Sequence, residues 1–171
     1  MKIIGIDIGT TSISSVVLDD ETKIQVAAKT LPNDTARAGH SWERMQDADL
    51  ILEKCRKLVM EYRGEWPDVR RIGITGQMHG MLYVDANGCA VSPLTTWEDE
   101  RGNQPYREDG TYAQELSARS GYEMATGYGL TTHFYNVQND LVPERAAFLT
   151  TIMDYVAMRL TGRRHPVTHP T

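Results

Sequence analysis

The sequence predicts an α/β fold: a mixed sheet that opens as a β-meander, continues through helix–strand units and carries helices packed on it. Three observations lead there. Residues 2–30 hold three β-rich segments separated by short turns. A helical apolar stripe follows over 47–63. A further β-rich segment comes directly after that helix, and a strand reached through a helix ordinarily enters the sheet parallel to an earlier one.

The elements follow in order. Lys2 to Ile8 reads as a buried, Ile-rich strand, broken by Gly9-Thr10-Thr11. Ile13 to Leu18 is the second strand, Asp19-Asp20-Glu21 the next turn, and Lys23 to Thr30 the third strand. Leu31 to Ser41 reads as a polar loop. Asp47 to Arg63 is a helix with Ile51, Cys55, Leu58 and Tyr62 on one face, stopped by Gly64 and Pro67. Val69 to Thr75 is the fourth strand. Met81 to Val84 is a short strand before the turn Asp85-Ala86-Asn87-Gly88. Thr111 to Ser120 is helical, and Gly127 and Gly129 mark a loop. Pro143 to Leu160 reads as one helix, with Pro143 in its first turn, a stripe of Phe148, Ile152, Tyr155 and Val156, and Gly162 as its stop.

The chain has 171 residues, enough to bury a core without staples. Eighteen basic against 23 acidic residues give a net charge of −5, which argues against non-specific binding to nucleic acid or acidic membranes. A local phosphate site remains open, because backbone amides supply one without net charge. Cys55 and Cys89 form neither a metal cluster nor a disulfide framework. With no signal peptide and no apolar run of membrane-spanning length, the expected location is cytoplasmic, and the sequon at Asn33 carries no meaning. The ending Arg163 to Thr171 contains no closing element and reads like the middle of a longer protein.

Four segments can carry chemistry. In Gly5-Ile6-Asp7-Ile8-Gly9-Thr10-Thr11 a carboxylate sits in an apolar strand beside a small, hydroxyl-bearing turn. Such a carboxylate is costly unless paired, hydrated or bound to a cation, and the turn suits a phosphate; the plainer reading is a hairpin turn capped by Asp7. Gly73 to Gly80 follows a strand, and open α/β sheets bind ligands at strand ends. Gln77 and His79 there can hydrogen-bond hydroxyls, or form an ordinary solvated turn. Thr95 to Arg101 sets Trp97 beside Asp99 and Arg101, which suits a sugar ring stacked on indole with charged groups on its hydroxyls; an anchored, charged helix start fits equally. Ala125 to Tyr135 is an aromatic glycine loop that lines a pocket or simply packs.

The order of these segments is more specific than any one. GIDIGTT, then GQMHG, then TTWEDERG, then a helix reading DYVAMRLTG together resemble the N-terminal lobe of the FGGY carbohydrate kinase family over nearly the whole chain. GQMHG is similar to the xylulokinase and sedoheptulokinase branches, and TTWEDER with GYGLTTHFY leans to the sedoheptulokinase-like one. The resemblance implies an RNase H-like lobe of the actin-like ATPase fold, with ATP and Mg²⁺ as cofactors and a ketose as substrate. By the same resemblance Asp7 is the catalytic residue that organises Mg²⁺, and Gly9, Thr10 and Thr11 face the transferred phosphate. Gln77, Met78, His79, Gly80, Trp97, Asp99, Arg101 and Tyr128 line the sugar site. The family's general base, an aspartate, and its adenine site belong to a second lobe that this sequence does not contain.

Two functions follow. Residues 1–171 are the sugar-binding lobe of a ketose kinase, a cloned piece or shortened gene product with negligible activity alone; or they are a stand-alone sugar-binding or regulatory lobe that partners another chain. The surface where a second lobe would sit also favours self-association. An actin-type ATPase without a sugar would leave GQMHG and WEDER without a task.

Overall fold

The structure is a computed structural model that describes residues 1–107 and 110–167. In chain order, β1 is Lys2–Ile8, β2 Ser12–Asp19, β3 Gln25–Pro32, β4 Ala36–Arg37, β5 Met45–Gln46, α1 Ala48–Glu65 and β6 Val69–Gly76. These are followed by β7 Leu82–Val84, β8 Leu94–Thr95, α2 Tyr112–Ser120, α3 Gly129–Gln138, β9 Phe148–Thr150 and α4 Ile152–Leu160. The main sheet has the order β3-β2-β1-β6, with β1–β2 and β2–β3 antiparallel and β1–β6 parallel. The predicted mixed sheet, meander first, is what forms. Two small sheets, β4-β5-β8 and β7-β9, lie beyond it.

Strand parity decides which face is covered. Ile4, Ile6 and Ile8 of β1 pair with Val17, Ser15 and Ile13 of β2, and all six are buried on one face. Ile51, Leu52, Cys55, Leu58 and Tyr62 of α1 and Ile152, Tyr155 and Val156 of α4 belong to the same core. Ser15 and Tyr62 share a buried hydrogen bond, Oγ to hydroxyl, at 3.0 Å. The opposite face is open: a cavity of about 400 Å³ there is lined by Gly5, Asp7, Ser14, Val16, Gly73 and Thr75. So β1 is not buried on both sides. Alternation sends Asp7 to the open face, where its carboxylate is exposed.

Local chemistry explains the helix ends. Asp47 caps α1 by accepting from the Asp49 and Leu50 amides at 3.0 Å. The helix runs through Gly64 and stops at Trp66, whose N–H donates to the Tyr62 carbonyl. Thr111 opens α2 with a capping box closed by Gln114. β3 starts two residues later than expected, because Asp19 accepts the Glu21 and Thr22 amides and lengthens the preceding turn.

Three expectations are corrected. Residues 143–160 do not form one helix. Phe148–Thr150 instead pairs with Val84–Leu82 as β9, and the helix begins at Ile152 behind Thr151, whose hydroxyl accepts the Asp154 amide. A short apolar run fits both periods, and here the partner strand β7 decides it. Second, the loop predicted over 31–41 contributes β4. Third, not every helix packs on the main sheet: α2 and α3 pack on each other beside the 3-10 turn Arg101–Asn103. The sequence expectation for the chain end falls partly on residues 168–171, outside the described residues.

Among the described residues no helix is long and apolar enough to cross a membrane. Cys55 is fully buried in the core, and burial pushes its thiol up to about 11, whereas Cys89 is exposed. At pH 8 a thiol-alkylating reagent is therefore expected to label Cys89 rapidly and Cys55 only after unfolding. Mass spectrometry with and without denaturant checks this; equal labelling in the native state would contradict the packing.

Candidate functional site

The four chemistry-bearing segments meet at one end of the main sheet. The first is the β1–β2 turn, Gly9 to Thr11, closed by the Gly9 N–H donating to the Ser12 carbonyl at 2.9 Å. The Trp97 indole reaches it: Nε1–H donates to Thr10 Oγ1 at 3.0 Å. About half of Trp97 remains exposed, so the ring is accessible while its polar edge is held.

The second segment leaves β6. The Gln77 N–H donates to the Ile8 carbonyl at 2.8 Å, which keeps this turn beside the first. Met78 and His79 are exposed, while Gln77 and Gly80 are buried. His79 adopts a left-handed φ of +66°, sparsely populated for a non-glycine residue. Its ring stacks on Tyr128, with centroids 4.4 Å apart and planes at 13°. A Cβ on Gly80 would sit 2.9 Å from the Thr95 carbonyl oxygen, so this turn lies directly against the Trp97 segment.

The Tyr128 segment locks the other two together. Gly127 has φ +80°, and a Cβ there would collide with the Trp97 carbonyl oxygen. On the other side of Tyr128, a Cβ on Gly129 would lie 3.1 Å from the His79 carbonyl oxygen. The Thr126 hydroxyl donates to the Asp99 carbonyl at 3.1 Å. Tyr128 is thus held between the Trp97 and His79 segments, one-third exposed. It is also the N-cap of α3, a helix that the glycine pair hides at the sequence level.

Asp99 and Arg101 are placed differently from the other expected site residues. Asp99 is fully buried and Arg101 nearly so. Asp99 Oδ1 accepts from the Arg101 amide at 3.0 Å and from Arg101 Nε at 2.7 Å. Its Oδ2 accepts from the Arg44 amide at 3.0 Å and the second Arg101 guanidinium nitrogen at 3.1 Å. The guanidinium also donates to Asn136 Oδ1 at 2.7 Å and lies over the Trp42 and Tyr135 rings. Asn136 then donates to the Tyr83 hydroxyl, which meets His133 Nδ1 at 2.8 Å. Burial holds the His133 imidazole below its ordinary value and the Tyr83 phenol above its own. These charged groups turn inward and brace the loop that presents Trp97.

Sequence reasoning missed Trp42, Gln46, Asn33, Tyr83, His133, Tyr135 and Asn136. His133 and Tyr135 fall within the GYGLTTHFY segment without being singled out there, whereas Trp42, Gln46, Asn33, Tyr83 and Asn136 belong to no motif and are gathered only by the tertiary fold. Asp7, by contrast, stands on the open face one strand position before Ile8 and the Gly9–Thr11 turn, with no hydrogen-bond or ion-pair partner among the described residues. No group of three or more metal-ligating side chains occurs among the described residues.

Residues 2–170 match the N-terminal domain of the FGGY family of carbohydrate kinases. The chain belongs to that family. It is 31% identical to mouse (Mus musculus) sedoheptulokinase, over 96% of this chain and 39% of that protein. It is 26% identical to the xylulose kinase of Bacillus subtilis, over 95% of this chain and 34% of that protein. The chain therefore spans well under half the length of these relatives. Solved structures carry the same fold: a xyloylose kinase from Brucella ovis has a TM-score of 0.78 at 23% identity, covering 92% of this chain and 34% of that one. The Plasmodium falciparum glycerol kinase has a TM-score of 0.77 at 20% identity, covering 95% and 34%. The actin-like lobe implied by the motifs is thus the fold of this FGGY domain, and its named relatives are phosphotransferases.

Two substitutions probe the site's framework. Gly127→Ala is expected to cost roughly 1–3 kcal/mol from left-handed strain alone, before the collision with the Trp97 carbonyl is added. Chemical denaturation measures the loss, and Trp97 emission is expected to shift with it. Asp99→Ala takes from a buried guanidinium its nearest carboxylate, leaving Glu43 at 3.7 Å, and leaves the Arg44 and Arg101 amides without that acceptor, at a cost of roughly 3–5 kcal/mol. A change within the error of denaturation would show the pair to be dispensable.

Proposed function

We propose that this FGGY domain is the sugar-binding part of an ATP-dependent kinase acting on a ketose of the sedoheptulose or xylulose type. The observation that carries the reading is the convergence of an accessible indole, a stacked His79–Tyr128 pair and a phosphate-type turn at one strand end. Sugar recognition needs aromatic faces for C–H surfaces and fixed polar groups for hydroxyls. Trp97 and Tyr128 supply the faces, and His79, with Gln77, Met78 and Gly80 of its turn, supplies polar groups and close backbone approach. Asp99 and Arg101 act from behind, by holding the Trp97 loop.

The same site fits Mg²⁺ and a nucleotide phosphate. Mg²⁺ is held by one or two carboxylates together with substrate phosphates and water, and Asp7 is an exposed carboxylate with no partner among the described residues. Bound Mg²⁺ neutralises charge on the phosphates during transfer. Gly9, Thr10 and Thr11 would face those phosphates with backbone amides and hydroxyls, orienting them toward the sugar. A base is still required for the sugar hydroxyl proton. Asp99 does not serve, since protein donors occupy both of its oxygens; the base belongs to the part of the FGGY kinase outside this domain. Support for the ketose class comes from the sedoheptulokinase and xylulose kinase relatives.

Titration of sedoheptulose and of xylulose into ¹⁵N-labelled protein tests the reading. One of them is expected to give saturable shifts at the Trp97 indole N–H and the Gly80 and Tyr128 amides. Trp97→Ala is expected to weaken that binding about tenfold or more, equivalent to about 1.4 kcal/mol per tenfold. A dispersed spectrum unmoved by either ketose would overturn it.

A further inference from the structure

The phosphate-type turn is held by its carbonyls. Asn33 Nδ2 donates to the Gly9 carbonyl at 2.8 Å. Gln46 Nε2 donates to the Thr10 carbonyl at 2.7 Å. The Asn33 backbone N–H donates to the Thr11 carbonyl at 2.9 Å. In a trans peptide the N–H of the next residue points opposite to the C=O. With the Gly9 and Thr10 carbonyls turned inward, the Thr10 and Thr11 amides must point outward. Among the described residues no protein group accepts a hydrogen bond from either amide. Two successive outward amides form an anion-binding concavity.

Gln46 has a second task. Its Oε1 accepts from Gln77 Nε2 at 2.9 Å. One side-chain amide therefore ties the Gly9–Thr11 turn, through its donor end, to the Gln77–Gly80 turn, through its acceptor end. Gln46 is buried, and β5 holds it in place directly before the helix cap Asp47. The Gln77 Oε1 is buried without a partner among the described residues, so among their hydrogen bonds the orientation of that side chain rests on Gln46.

We propose that Gln46 is a positioning residue: it aims the Thr11 amide at an oligophosphate and fixes the spacing between the phosphate-facing and sugar-facing turns. This rests on the proposed reading that the Gly9–Thr11 turn meets phosphate. Asn33 does the same for the Thr10 amide. The two assignments separate, because each side chain controls a different peptide plane.

The test is a titration of magnesium tripolyphosphate into ¹⁵N-labelled full chain, reading the Thr10 and Thr11 amides. Wild type is expected to show saturable shifts at both. Gln46→Met keeps the length of the side chain but removes its donor and acceptor. It is expected to retain a dispersed spectrum and lose about tenfold in affinity, with the Thr11 shift reduced more than the Thr10 shift. Asn33→Ala is expected to give the reverse pattern. Should Gln46→Met not fold, Gln46→Asn carries the test, since its amide stops one methylene short of the Thr10 carbonyl.

A folded Gln46 variant that binds like wild type, or that loses both shifts equally, overturns the positioning role and leaves the functional reading intact. A folded wild type with no shift at either amide overturns the phosphate part of the functional reading, and this inference with it; the ketose titration tests the sugar part separately.

Discussion

The alternation of β1 is the constraint from which the rest of this FGGY domain follows. Side chains on a strand point to opposite faces in turn. Ile4, Ile6 and Ile8 therefore go one way, into the core that α1 and α4 close. Gly5 and Asp7 go the other way, onto the open face. A shift of one residue would bury the carboxylate and expose the isoleucines, so the register is fixed by hydrophobic burial and by the cost of an unpaired buried charge. The strand that anchors the core thus also delivers a free carboxylate next to the turn where phosphate chemistry is proposed.

The polar side chains of the site divide into two populations. Asp7 and His79 are exposed, whereas Asp99 and Arg101 are consumed by each other and by Asn136, Trp42 and Tyr135. A buried ion pair gives little net stability against an apolar replacement, and it is costly to break from one side. Its value here is geometric. The Asp99 carboxylate fixes the Arg44 and Arg101 backbones, Thr126 fixes the Asp99 carbonyl, and Gly127 lies against the Trp97 carbonyl. The indole is held from behind by a rigid frame, and its face stays accessible.

Much of this was legible in the sequence, and the exceptions have physical causes. The meander, α1 and β6 follow from turn residues and periodicity that act over a few residues. The motif segments were readable because glycine and aromatic residues are needed where backbones approach closely. The helix expected over 143–160 failed because Phe148-Leu149-Thr150 takes its conformation from β7, a partner remote in sequence. Arg101 and Asp99 read as sugar ligands because their type suits hydroxyls, but only the fold reveals that Asn136 and the Arg44 amide occupy them first. Gln46 and Asn33 carried no signal, since their role exists only once two turns are adjacent.

The parallel pairing of β1 with β6 has a consequence for how the domain comes together. Both hairpins of the meander form between neighbours, across short turns. The β1–β6 contact instead spans β2, β3, the small β4–β5 pair and all of α1. Such a non-local contact incurs its loop-closure entropy before it returns any stabilisation. On an emerging nascent chain, β1 can pair with β2 early. The surface that later carries both turns of the site stays half-built until Gly76 has left the ribosome. The two turns come together only then, and the site, which also needs Trp97 and Tyr128, is completed later still, although its first residue is among the earliest synthesised.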